Sequence, residues 1–107
     1  MHEENANFST SEGVLYNKNK TILIKYPEGK QGTDFTISDT VIEVQFHAFY
    51  NLLILENVII PINVITVTRR AFQSERLSLF ARAASKPAGW DNEWNYNCLH
   101  FEFGYSD

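Results

Sequence analysis

From residue 35 onward the apolar positions of this chain repeat. Setting "FTISDTVIEVQFHAFYNLLILEN" (35–57) above "VIIPINVITVTRRAFQSERLSLF" (58–80) pairs Ile37 with Ile60, Val41 with Val64, Ile42 with Ile65, Val44 with Val67, Ala48 with Ala71 and Phe49 with Phe72. These six apolar identities fall in one ungapped register of 23 residues, separated by short polar interruptions. The β-branched density across 58–67 predicts buried strand. Each unit is expected to hold a strand ending near Ile37 or Ile60, a turn, a second short strand at 42–44 or 65–67, and a helical turn carrying the Ala–Phe pair. Ala48 and Ala71 are small where turns crowd, Phe49 and Phe72 fill the space between units, and Leu55 or Leu77 re-enters the core. Before the repeats, "GVLYN" and "TILIKYP" are β-rich runs joined by the polar "KNK", which predicts a hairpin packed on the first unit. Alternation in "TILIKY" places Ile22, Ile24 and Tyr26 on one face and Thr21, Leu23 and Lys25 on the other.

A period between about 20 and 50 residues is the mark of a solenoid, whose units bury their apolar positions by stacking on one another. The most apolar stretch, residues 49–67, is interrupted by Glu56, Asn57, Pro61 and Asn63. A spanning helix needs about 20 largely unbroken apolar residues, so no membrane insertion is expected. With 107 residues, 44% of them apolar, the chain is expected to form one compact domain.

The run Leu55-x-x-Val58-x-Ile60-Pro61-x-x-Val64-x-x-Val67-x-x-x-Ala71-Phe72 resembles the leucine-rich repeat of the BspA type, whose unit contains an "IPxxVxxIxxxAF" run. Residues 13–30, "GVLYNKNKTILIKYPEGK", are similar to the hairpin segment that commonly precedes such repeats, and residues 77–95, "LSLFARAASKPAGWDNEWN", to the segment that ends the array. The resemblance covers residues 12–98. It departs at Leu52 and Glu75, where the family often has Cys, and at Ile62 and Asn63, which replace a polar turn pair. The tail "CLHFEFGYSD" matches loosely. The resemblance implies a right-handed leucine-rich-repeat coil, mainly β with short helical turns. It divides the chain into a polar N-terminal segment (1–11), a hairpin (12–34), two 23-residue repeats (35–80) and an aromatic cap (81–107). It also implies a non-enzymatic protein-recognition or adhesion module of the bacterial cell surface, hence an extracellular location.

If residues 35, 37, 58 and 60 point inward, their strand alternates point outward. At an offset of 23 this puts Thr36, Ile59 and Arg82 on the open sheet face as a candidate partner surface. Cover by the hairpin or by a second chain is an equal alternative for Ile59, and the latter would make the protein a homodimer. Fewer than three full repeats offer little area for a partner.

Composition adds exclusions. The net charge is -4 and the nine basic residues are scattered, Arg69–Arg70 being their only adjacent pair, which argues against nucleic-acid binding. The start, "MHEENANFSTSEG", has neither the basic region nor the apolar run of a signal peptide. His2, His47 and His100 form no HxH or HxxxH pair, so no metal site is expected. The five glycines are dispersed and make no phosphate loop, so no cofactor is expected either. Cys98 stands alone as a structural thiol. Asn7 and Asn19 head the short glycosylation pattern Asn-x-Ser/Thr, which alone carries little meaning.

Two readings compete for Trp90, Trp94 and Tyr96. Exposed indoles would stack on sugar rings, with Asp91 and Glu93 as paired carboxylates of a carbohydrate-active enzyme. Buried ones would close the last coil's apolar edge, with Pro87 and Gly89 supplying the break before them. The cap is favoured, because "GWDNEWN" interleaves indoles with the polar residues a lid's outer face requires. The sequence thus points to a non-enzymatic recognition module, with a carbohydrate-binding protein and a self-associating truncated repeat as alternatives.

Overall fold

The short β-rich runs and regular turns wind the chain, in a computed structural model describing residues 8–11, 13–27, 29–50, 52 and 54–105, into a β-solenoid of about four turns. Its strands are β1 (Phe8–Ser11), β2 (Val14–Asn17), β3 (Ile22–Lys25), β4 (Asp34–Thr36), β5 (Glu43–Val44), β6 (Phe49–Tyr50), β7 (Asn57–Ile60), β8 (Thr66–Val67), β9 (Phe72–Gln73), β10 (Ser78–Ala81) and β11 (His100–Glu102). His2 and the Asn7 pattern lie outside the described residues.

Three ladders run along the coil. In the first, β4, β7, β10 and β11 pair in parallel, placing Phe35 beside Val58, Val58 beside Leu79 and Leu79 beside Phe101. The second is the sheet β1-β2-β3-β5-β8, in which Leu23 lies beside Val44 and Val44 beside Val67. An isolated bridge continues this row from Val67 to Trp90. The third pairs Phe49 with Phe72. Of the six identical pairs, five are buried where coils stack, whereas Ile42 and Ile65 point to solvent. The core includes an aromatic stack: Tyr26, Phe49 and Phe72 lie nearly parallel at 5.3 and 4.7 Å, and Trp94 meets Phe72 edge-on at 5.9 Å.

The structure refines four expectations. No helix occurs among the described residues. The Ala–Phe corners are single turns, closed by Ala48 N–H to Gln45 O and Ala71 N–H to Thr68 O at 3.0 and 3.1 Å. Left-handed φ values at His47 (56°) and Arg70 (55°) end each one after a single turn, since non-glycine residues rarely continue a helix from there.

At the N-terminus, residues 8–11 of the polar segment form a strand. They pair antiparallel with β2, and Gly13, at φ 87°, supplies the left-handed position that the tight connection needs. The next loop is held by Asn17, whose Oδ1 accepts from Thr21 N–H and Ile22 N–H at 2.8 and 2.9 Å.

The face assignment of "TILIKY" also changes. Leu23 is buried, because β3 pairs with β5 and brings it beside Val44. Tyr26 turns inward as well, its N–H donating to Ala48 O at 2.8 Å.

Finally, residues 81–105 do more than cap two repeats, because they continue the winding. Trp94 N–H closes a turn on Asp91 O at 3.1 Å, matching the two Ala–Phe corners, and Phe72 N–H donates to Trp94 O as Phe49 N–H does to Ala71 O. Trp94 therefore stands in the Ala48/Ala71 row and Trp90 in the Val44/Val67 row. Gly89 is glycine because a Cβ there would strike Ile65 O of the preceding coil.

Candidate functional site

The outward side of the first ladder is the principal surface. Alternation along the strands sends Phe35, Val58 and Leu79 inward and leaves two rows outside: Asp34, Asn57, Ser78 and His100, then Thr36, Ile59, Phe80 and Glu102. Asn57 Nδ2 donates to Asp34 Oδ1 at 2.7 Å, tying the first two strands together on this face. Beside that pair lies a shallow cavity of about 400 Å³ whose apolar walls are Phe35, Ile59, Phe80 and Tyr105. Tyr105 is brought over the face because its N–H donates to Ala81 O at 2.9 Å, which sets its ring 5.2 Å from Phe80.

Thr36 and Ile59 are direct neighbours here, Thr36 exposed and Ile59 half-buried. Arg82 is not in their row. The ladder advances 23 residues from Phe35 to Val58 but 21 from Val58 to Leu79, so Phe80 takes the place expected of Arg82. The shortening lies in the corner after Phe72, closed by Leu77 N–H to Ser74 O at 3.1 Å. Arg82 instead sits just past β10, its guanidinium 5.7 Å from the Tyr105 ring centre. Phe80 and Tyr105 escape sequence reasoning because a strict 23-residue period skips the first and the loose tail hides the second.

The indoles do not form a sugar platform. Trp90 and Trp94 are 2% and 3% exposed, packed on one another at 4.8 Å and covered by Phe103 at 5.8 Å from each. Trp90 Nε1 donates to Val64 O at 3.1 Å, which satisfies its polar edge within the core. Tyr96 is exposed, but the Arg70 guanidinium lies over its ring at 4.0 Å.

Asp91 and Glu93 are turn residues, not a converging carboxylate pair. Asp91 Oδ1 accepts from Glu93 N–H at 2.8 Å, while Glu93 Oε1 accepts from Arg69 and Arg70 Nε at 2.9 and 3.2 Å. Those hydrogen bonds hold the Glu93 carboxyl below its ordinary pKa, the opposite of what a general acid needs.

His47 is stacked between Phe46 and Tyr50 and bonded through Nε2 to Gln73 Oε1 at 3.0 Å. No group of three metal-ligating side chains occurs among the described residues. A second cavity, of about 310 Å³, lies between Tyr50, Gln73 and Arg76. The buried hydroxyl at its floor, Ser74 Oγ, is already bonded to Leu52 O.

Cys98 is free, with Sγ 3.3 Å from Phe72 O, and burial pushes its thiol up to about 11. Raised above its ordinary value of 9.0, the neutral thiol favours the folded state, and that contribution is lost as pH rises from 9 through 11. Alkylation of the native chain at pH 8 is therefore expected to be far slower than in urea, and a Cys98→Ser variant should lose part of the alkaline fall in stability. Equal alkylation rates in both conditions would contradict the burial.

This geometry defines a β-solenoid of about four turns with an open sheet face. A solved structure of a leucine-rich repeat protein from Eubacterium ventriosum ATCC 27560 is similar to it, with a TM-score of 0.51 and 29% identity. The match covers 80% of this chain and 30% of that one, so the chain spans less than a third of its length. No protein-family model and no curated protein matches the sequence.

Proposed function

We propose that the chain is a non-enzymatic protein-recognition module that binds an extended protein segment across the outward face of the first ladder. The carrying observation is the cavity between Ile59, Phe80 and Tyr105, an apolar slot bordered by the bonded Asp34–Asn57 pair on a rigid sheet. Such a slot accepts one apolar side chain, while the polar row beside it selects what flanks that side chain. Repeat proteins recognise partners through surfaces of this kind. The similarity to a leucine-rich repeat protein supports the reading, as does the commitment of Glu93 to two arginines in place of chemistry. The finer reading, a BspA-type adhesion module at a bacterial cell surface, rests on the 55–72 motif together with the bacterial source of the similar structure.

Selection of a random peptide library on the immobilised chain tests the proposal. Peptides with a central apolar residue are expected, and Ile59→Asp or Phe80→Asp should weaken their binding at least about tenfold, the loss typical of a central anchor. Peptides that bind both variants as well as the parent, or no enrichment at all, would count against this face.

A further inference from the structure

β11 is an edge of the four-stranded sheet, and the residues it presents there are those that earlier coils bury. Leu77, which precedes β10, is fully buried, but Leu99 at the corresponding place before β11 is 69% exposed. Val58 and Leu79 are likewise buried in the inward row, whereas Phe101 in that row is 50% exposed. An edge strand also has one side of its backbone unpaired within its sheet, a template for another strand.

We propose that β11 pairs antiparallel with β11 of a second copy of this chain, about a twofold axis through Phe101. The pattern of donors and acceptors selects that occupant. His100 and Glu102 share the outward face, 3.7 Å apart. A twofold axis at Phe101 sets His100 opposite the second copy's Glu102 and Glu102 opposite its His100, so in both cross-strand pairs an imidazole N–H faces a carboxylate that accepts it. On the inward side the same axis brings the two Phe101 rings together and sets Leu99 against the second copy's Phe103, continuing the apolar stacking that already joins coil to coil. The two sheets then join into one of eight strands, built from the four-stranded sheet of each copy. So short a strand pair buries less than the roughly 800 Å² per partner of stable complexes, so the dimer is expected to be micromolar. It leaves the Ile59–Phe80–Tyr105 slot open and does not depend on it.

Sedimentation velocity over a concentration series reads this contact. His100→Glu places two carboxylates opposite one another twice per dimer, Glu102→Lys removes the acceptor that faces each His100, and each is expected to weaken association about tenfold. Combining the two sets opposite charges across the axis and should return affinity to within about threefold of the parent, which damage to the fold alone would not do. A Phe101→Cys variant should oxidise to a dimer linked 101 to 101, identified by peptide mapping, while Thr36→Cys at the opposite edge should not. A strict monomer at high concentration, failure of the double variant to recover, or a dimer dissociated by Ile59→Lys but not by His100→Glu would each overturn the proposal.

Discussion

Replacing Trp90 by alanine is expected to destabilise the protein by about 3–5 kcal/mol, the range for truncating a buried large aromatic. The side chain stands in a row otherwise occupied by Leu23, Val44 and Val67, and closes it. Its removal strips cover from Val67 and Trp94 together and leaves Val64 O without its donor. Trp90→Phe separates the two contributions: it keeps most of the packing but orphans the carbonyl, for an expected loss of about 1–3 kcal/mol. Because each coil touches only its neighbours, the last coil should unravel first. Urea titration of Trp90→Ala followed by circular dichroism should then show a shallower or two-step transition as well as a lower midpoint. A variant with the parent's midpoint and slope would mean that Trp90 does not hold the coil closed.

Phe72→Ala is the second large effect, again about 3–5 kcal/mol, but in a different form. Phe72 is fully buried between Phe49 and Trp94, its N–H donates to Trp94 O and its neighbour Ala71 accepts from Phe49 N–H, so this corner is bonded to the coils on both sides. A cavity there cannot be relieved by fraying one end, so the loss is expected to be global and the transition to stay single. Small domains have only about 5–15 kcal/mol in total, so this variant should approach unfolding at 37 °C. Phe72→Leu should recover much of the difference by refilling the volume, and thermal melts of the three proteins would rank them parent, Leu, Ala. An Ala variant as stable as the Leu one would show that the stack is not a continuous support.

What could be read from the sequence follows from how the rows keep or change their residue types. Val44 and Val67, Ala48 and Ala71, and Phe49 and Phe72 repeat because they fill equal spaces, and these pairs disclosed the coil. The same rows continue as Trp90 and Trp94, where larger side chains meet the end of the stack, so identity no longer reveals equivalence. The "SKPAGWDNEW" segment is therefore both a closure and a further turn of the winding. Tyr26 belongs with Phe49 through its backbone bond to Ala48 O, although nothing in "TILIKY" distinguishes it from an alternating strand residue. Thr36 and Ile59 were legible as surface because strand alternation is local. The third member of their row depended on the length of a corner, which a fixed period cannot register, and so Arg82 was expected where Phe80 stands.

That corner has a consequence for how such a chain varies. Nine residues lead from Phe49 to Val58 but seven from Phe72 to Leu79, yet both pairs of strands meet in full register. Coil length and face geometry are thus separable: insertions and deletions absorbed at one bend leave the pairing strands aligned and the residues they display unchanged. A descendant sequence can therefore gain or lose residues at that bend and still set the phenylalanine of β10 beside Ile59 on its outer face.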